Sequence, residues 1–167
     1  VLAIDAMATR FELVFEGERA AGEAALAVVE ECDARYSLFR SDSLLARINR
    51  EAFERAVRLD EEAFELLRVC AELRERTDGA FDVCVEPRMR ALGFNPGTSE
   101  GQVGTYVLDE NQRTVRFTTR STAIDLGGIV KGHALDLAAE CLRQHGVERA
   151  LLHGGTSSVI AIGAPPG

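Results

Sequence analysis

No run of about eighteen apolar residues occurs anywhere in this 167-residue chain, so no segment reads as a membrane-spanning helix. Positive charge is also scarce. The net charge is −8, and the acidic residues are spread through helical segments rather than gathered in a tail. This balance argues against a nucleic-acid partner held through its phosphates, which needs a basic face; a local basic spot for one small anion remains open. Cysteine occurs four times, at Cys32, Cys70, Cys84 and Cys141, with no C-x-x-C pair. That spacing suits neither a zinc site nor a disulfide framework, and buried free thiols are expected instead. The first residues lack the basic start and cleavage signal of a secretory peptide. This leaves the compartment open between the cytoplasm and an exported or membrane-anchored form whose signal has been removed. There is no internal repeat, no linker, no Gly-x-Ser-x-Gly elbow and no P-loop, since Lys131 precedes Gly132 rather than following a glycine.

What is present is an ordinary globular balance, 46% apolar and 28% charged, in a length that suits one domain. Phe11, Leu13 and Phe15 in "TRFELVF" fall on one side of a period-2 strand that Gly17 ends. From about Glu18 to Tyr36 the pattern turns helical, with Ala21, Ala25, Val28, Val29 and Cys32 facing inward. After the loop "SLFRSD", a short helix follows that Asp42 or Ser43 can cap. "AVRLD" at 56–60 reads as a brief strand, and Asp60 caps a helix to about Arg76 whose inward stripe is Phe64, Leu67 and Ala71. "AFDVCV" alternates as a strand until Pro87, residues 93–104 form a glycine-rich loop, and "TYVLDENQRTVRFTT" is a hairpin around "DENQ". A helix to about His145 is stopped by Gly146, and two strands, "RALLHGG" and "SSVIAIG", close the chain. Strands and helices mix without strict alternation, so the expected class is α+β with a mainly antiparallel sheet packed with helices.

One stretch concentrates chemistry. "IDLGGIVKGHALD" places Asp125, the Gly127–Gly128 pair, Lys131, His133 and Asp136 at the start of an apolar helix. Glycines let a ligand or another backbone come close, and helix-start N–H groups beside the Lys131 ammonium suit a phosphate. On spacing alone the plainer account stands ahead: Asp125 as an N-cap and Lys131 in solvent. "TDGAFDV" likewise reads most simply as a helix end leading into a strand, with Asp82 opposite Phe81 and Val83. His133 and His153 lie in no nucleophile or metal spacing, which leaves them as surface or core histidines beside their appeal as bases.

Taken together, "AMATRFEL", "SLFRSDSLLARIN", "TDGAFDVCVEP", "IDLGGIVKGHALD" and "GGTSSVIAIG" resemble, in order and across nearly the whole chain, the flavin transferases of the ApbE type. The resemblance implies an FAD:protein FMN transferase, which cleaves the FAD pyrophosphate, passes FMN to a threonine or serine hydroxyl of a target flavoprotein and releases AMP. It implies Mg2+ as the ion that carries the phosphate charge. By position, the family's FAD contacts fall on Met7, Phe39, Ala80, Phe81, Asp82, Asp125 and Lys131, and Gly128 takes the place whose backbone carbonyl helps hold the metal. Three positions depart from the family pattern: Ala8 stands where glycine is usual, Phe39 where tyrosine is common, and His133 where tyrosine is frequent.

The resemblance further implies a single ApbE-like domain over residues 1–167 that corresponds to the front part of a transferase. The family's catalytic histidine and the acidic and hydroxyl metal ligands lie in a further segment, so no catalytic residue is assigned to this chain. The rival expectation is a non-catalytic FAD-binding or assembly module. The final strand, followed by Pro165 and Pro166, is expected to leave an apolar edge or face that drives dimerisation or takes a second polypeptide.

Overall fold

The computed structural model describes residues 1–95 and 104–164. In chain order the elements are β1 (Leu2–Ala6), β2 (Thr9–Phe15), α1 (Arg19–Tyr36), α2 (Leu44–Glu51), β3 (Val57–Arg58), α3 (Glu61–Arg76), α4 (Glu86–Ala91), β4 (Tyr106–Asp109), β5 (Thr114–Phe117), α5 (Val130–Gln144), β6 (Ala150–Gly154) and β7 (Ser158–Ile162). Among the described residues no helix is long and apolar enough to cross a membrane. The chain divides into two compact units, one of residues 1–37 with 127–167 and one of residues 38–126. The class is α+β with antiparallel sheets.

The first unit is built on a four-stranded antiparallel sheet in the order β1-β2-β6-β7. Alternation along β2 sends Phe11 and Leu13 to full burial, and Leu152 of β6 joins them opposite Leu13. Phe11 pairs across the ladder with Gly154, where an added Cβ would lie 2.6 Å from the Phe11 ring. Only glycine leaves room for that ring in this register. Helices α1 and α5 pack on each other, and both bury small residues, among them Ala21 and Ala25 on α1 and Ala134, Ala138 and Ala139 on α5, while Gly22 faces the sheet, where an added Cβ would lie 2.4 Å from the Phe15 ring. Leu26, rather than Val28, is the buried neighbour of Val29. The opposite face of the sheet keeps Val14, Leu151 and Val159 exposed.

The second unit holds the three-stranded antiparallel sheet β3-β5-β4 with α2, α3 and α4. Ser43, itself buried, caps α2 by accepting from the Ala46 N–H at 2.9 Å, and Asp60 caps α3 by accepting from Ala63 N–H at 3.0 Å. On α3 the inward stripe is Phe64, Leu67 and Cys70, while Ala71 is exposed: the stripe turns one residue earlier than its spacing implies. The β4–β5 hairpin turns at the expected residues, with Asp109 accepting from Gln112 N–H and Arg113 in the left-handed region at φ 49°. Tyr106 ties the hairpin to α3 by donating to the Leu67 carbonyl at 2.7 Å.

One expected element is not formed. Residues 80–85 are not a strand: a turn runs through 77–81, a single 3-10 turn covers Val83–Val85, and α4 follows. Asp82 is the cause, because its Oδ1 takes the Cys84 N–H at 2.9 Å and turns the backbone away from a ladder. Pro87 then sits in the first turn of α4, where a missing N–H costs nothing. The residue that reads as the end of a strand is the start of a helix. Residues 96–103 of the glycine-rich loop, and the Pro165–Pro166 break, lie outside the described residues.

Candidate functional site

In the second unit, α3 ends at Arg76 and its last turn builds a small scaffold. The Thr77 hydroxyl donates to the Leu73 carbonyl at 2.7 Å and accepts from the Phe81 N–H at 3.0 Å. Asp78 and Gly79 take positive φ values, 50° and 78°, which reverses the chain and presents Ala80 to solvent. Asp82 is half-buried with both oxygens engaged. Oδ1 takes the Cys84 N–H, and Oδ2 takes Arg74 Nε at 2.9 Å. The Asp82 carboxylate holds the Arg74 guanidinium above its ordinary pKa, chiefly through that hydrogen bond.

Asp125 lies in a stretch without regular secondary structure rather than at a helix cap. Helix α5 starts at Val130, with Ile129 at its cap position and no side-chain cap bond. The Asp125 N–H donates to the Val83 carbonyl at 2.8 Å, which brings Asp125 beside the Phe81–Asp82 segment although 42 or more residues separate them. One residue earlier, Ile124 is fully buried and its backbone is held on both sides by one side chain. Asn49 Nδ2 donates to the Ile124 carbonyl at 2.9 Å, and Asn49 Oδ1 accepts from the Ile124 N–H at 2.8 Å. The sequence analysis gives Asn49 no role, although it is the last residue of the "SLFRSDSLLARIN" segment. Its only signal is an amide residue inside an eight-residue helix, where asparagine is a weak helix former. Phe39 sits on the segment before α2 with 77% of its surface exposed, so a wide apolar ring faces solvent.

In the first unit, Met7 and Ala8 form the two-residue turn between β1 and β2, both at positive φ, 50° and 57°. A turn of this hand needs the left-handed region at both positions and favours Asn-Gly. Here neither residue is glycine. The Met7 N–H donates to Asp33 Oδ1 on α1 at 2.9 Å, so the turn is tied to a helix. Lys131, in the first turn of α5, reaches back to the Gly127 carbonyl at 3.4 Å, a long contact to the exposed turn that also carries Gly128. It is the one lysine of the chain, the remainder of its 19 basic residues being arginine. His133 meets the Tyr36 ring edge-on at 6.1 Å between centroids.

His153 lies on the exposed face of the four-stranded sheet and bonds Glu12 Oε2 at 3.1 Å and the Gly155 carbonyl at 3.2 Å. Arg10 first, and then His153, hold the Glu12 carboxyl below its usual range by hydrogen bonding to it. The pair reads as a cross-strand contact. No disulfide joins the four cysteines, of which Cys32, Cys70 and Cys84 are buried and Cys141 is half-exposed. Burial pushes the Cys70 and Cys84 thiols up to about 12.

For Mg2+ the fit is poor within the described residues. They contain no group of three or more His, Cys, Asp or Glu side chains that could hold a metal ion. The Gly128 carbonyl is an oxygen donor of the kind that ion takes, but one carbonyl is not a site.

The description of the ApbE family matches residues 7–167. An FAD:protein FMN transferase of Vibrio cholerae is 26% identical over 141 residues, 77% of this chain and 42% of its own length. One of Haemophilus influenzae is 26% identical over 136 residues, 71% of this chain and 39% of its own. This chain therefore spans about two fifths of the curated relatives it matches. Among solved structures, an ApbE protein of Thermotoga maritima superposes with a TM-score of 0.86 at 26% identity, covering 98% of this chain and 59% of that one. The flavin transferase ApbE of Vibrio cholerae superposes at 0.83 with 20% identity over 98% of this chain and 59% of that one, a likeness of fold. With a family match that takes in the Met7 turn, the Phe81–Asp82 segment, Asp125 and Lys131 in one span, the chain belongs to the ApbE family.

Proposed function

We propose that this chain binds FAD as the front part of an FAD:protein FMN transferase. In the reaction, a threonine or serine hydroxyl of a target flavoprotein releases its proton as its oxygen bonds to the FMN phosphorus, while the phosphorus–oxygen bond to AMP breaks, so FMN is transferred and AMP leaves. Met7, Phe39, Ala80, Phe81, Asp82, Asp125 and Lys131 are the FAD contacts in this reading, and the Gly128 carbonyl would supply one oxygen donor to a metal. The observation that carries it is the Asp125 N–H on the Val83 carbonyl, which sets side by side two motifs that the family resemblance assigns to one ligand. The chemistry of each residue supports its assignment. Met7 offers a polarisable apolar face to a flat ring, the exposed Phe39 ring offers stacking surface, and the Lys131 ammonium offers charge to a phosphate. Mg2+ would neutralise phosphate charge during transfer. No step here is derived through it, because the described residues do not make its site.

Titration calorimetry with FAD tests binding, and an acceptor peptide carrying threonine tests transfer. Saturable binding with one FAD per chain, and acceptor-dependent release of AMP with FMN bonded to the peptide, are the expected results. A chain that binds FAD but leaves the peptide unmodified would support the second reading, an FAD-binding or assembly module. Absence of FAD binding overturns both.

A further inference from the structure

We propose that Asn49 is a positioning residue of the FAD site, acting through the backbone of Ile124 to fix Asp125; this rests on the FAD-binding reading above. The geometry is that of a ladder rung made by a side chain. A carboxamide has one acceptor and two donors, and Asn49 places its oxygen on the Ile124 N–H at 2.8 Å and its nitrogen on the Ile124 carbonyl at 2.9 Å. Only one orientation of the amide satisfies both contacts. Ile124 itself has no exposed surface, so its two backbone groups cannot turn to water for partners.

The next peptide is held from another direction. The Asp125 N–H donates to the Val83 carbonyl at 2.8 Å, directly after Asp82, whose Oδ1 caps the Cys84 N–H at 2.9 Å. Asp125 is thereby clamped at successive residues, by α2 through Asn49 and by the 82–84 turn through Val83. Three hydrogen bonds, two at Ile124 and one at Asp125, join three stretches of sequence at this backbone, and a fourth, from Cys84 to Asp82, fixes the turn that supplies the Val83 carbonyl. The helix that carries Asn49 is itself anchored, with Leu45 and Ile48 buried and Ser43 closing its N-terminus.

No other side-chain type of that length makes the same rung. Aspartate would accept from the Ile124 N–H but set a carboxylate oxygen against the Ile124 carbonyl, and leucine would leave both groups bare. An asparagine held inside a helix, against its propensity, fits a role outside that helix. Asn49 does not touch FAD in this account. It sets where the Asp125 carboxylate points.

The test is a double-mutant cycle on FAD affinity in the full chain, with Asn49→Ala, Asp125→Ala and the pair, each measured well below its own melting temperature. Asn49→Ala is expected to weaken FAD binding roughly tenfold, the low end of what loss of a residue that orients a ligand contact costs. In the Asp125→Ala background the same change is expected to leave affinity where Asp125→Ala alone put it. A residue that only supports the fold would lower the melting temperature and leave affinity unmoved, or would weaken binding equally in both backgrounds. Either result overturns the inference. If Asn49→Ala does not fold, Asn49→Asp, which keeps the acceptor, is measured in its place under the same criteria. Loss of FAD binding by the unaltered chain would overturn the functional reading first and this inference with it, whereas normal binding with an unaffected Asn49→Ala overturns the inference alone.

Discussion

Replacing Ala8 with glycine should make this protein more stable. Ala8 is the second residue of the β1–β2 turn, at φ 57°, and it is exposed, so its methyl group contributes no packing that glycine would lose. An L-residue in the left-handed region carries about 1–2 kcal/mol of strain from its Cβ against the following carbonyl. Glycine removes that strain but returns freedom to the unfolded chain, which costs about 0.4–1 kcal/mol. The difference is a net gain of about 0.5–1 kcal/mol, or roughly 1–4 °C in melting temperature for a chain of this size. Urea unfolding followed by circular dichroism measures it, and an unchanged slope against denaturant shows that the variant unfolds from the same state. Because the Met7 N–H stays bonded to Asp33, the turn keeps its shape and FAD affinity should not fall. A variant of equal or lower stability with the same slope would refute the strain argument, and the turn would then have to be relaxed as it stands.

Lys131→Ala should weaken FAD binding by about 1–3 kcal/mol if the ammonium meets a phosphate, the scale of a charge-assisted hydrogen bond. Calorimetry with intact folding and unchanged affinity would return Lys131 to a solvated role. Asp60→Ala should cost about 1 kcal/mol through loss of the α3 cap, read as a lower urea midpoint; no change would mean that Glu61 and Glu62 in the first turn already satisfy the helix end. The thiols make a pH prediction. Cys70 and Cys84 titrate near 12 in the fold against about 8.5 when unfolded, so the fold favours the protonated form. Stability from this source is complete below about pH 8.5 and is lost as pH rises through the folded value. Melting temperature should fall over that range, and less steeply in Cys70→Ala; parallel slopes would refute it. At neutral pH a thiol reagent should modify Cys141 before the other three.

Elements that carry their own period or cap were legible before any coordinates. β2, α1, α3, the β4–β5 hairpin, α5 and the closing pair β6–β7 each show an amphipathic repeat, and Ser43, Asp60 and Gly146 mark ends by side-chain or backbone chemistry local to them. Residues 80–91 failed for an equally physical reason. Alternation over six residues fits a strand, but it competes with one hydrogen bond from Asp82 to the Cys84 N–H and with a proline that serves a helix start as well as it stops a strand. Both residue types are ambiguous in a sequence, and the bond that decides between them is made in three dimensions.

The site divides along the same line. The residues proposed for it were named by the resemblance of five ordered segments to one family, while spacing alone left Asp125 and Lys131 to plainer roles. Its couplings were not readable. Asn49 bonds the backbone of Ile124, 75 residues away, and a backbone partner has no residue type of its own to leave a pattern. The same holds for the Asp125 N–H on the Val83 carbonyl and for Asp33 on the Met7 N–H. In each case a motif residue is fixed by a contact to peptide groups, which every position possesses. A substitution at Ile124 that keeps its bulk would therefore leave the rung intact, while a change at Asn49 would break it. The constraint falls on one end of the pair alone, and only the folded chain shows which end it is.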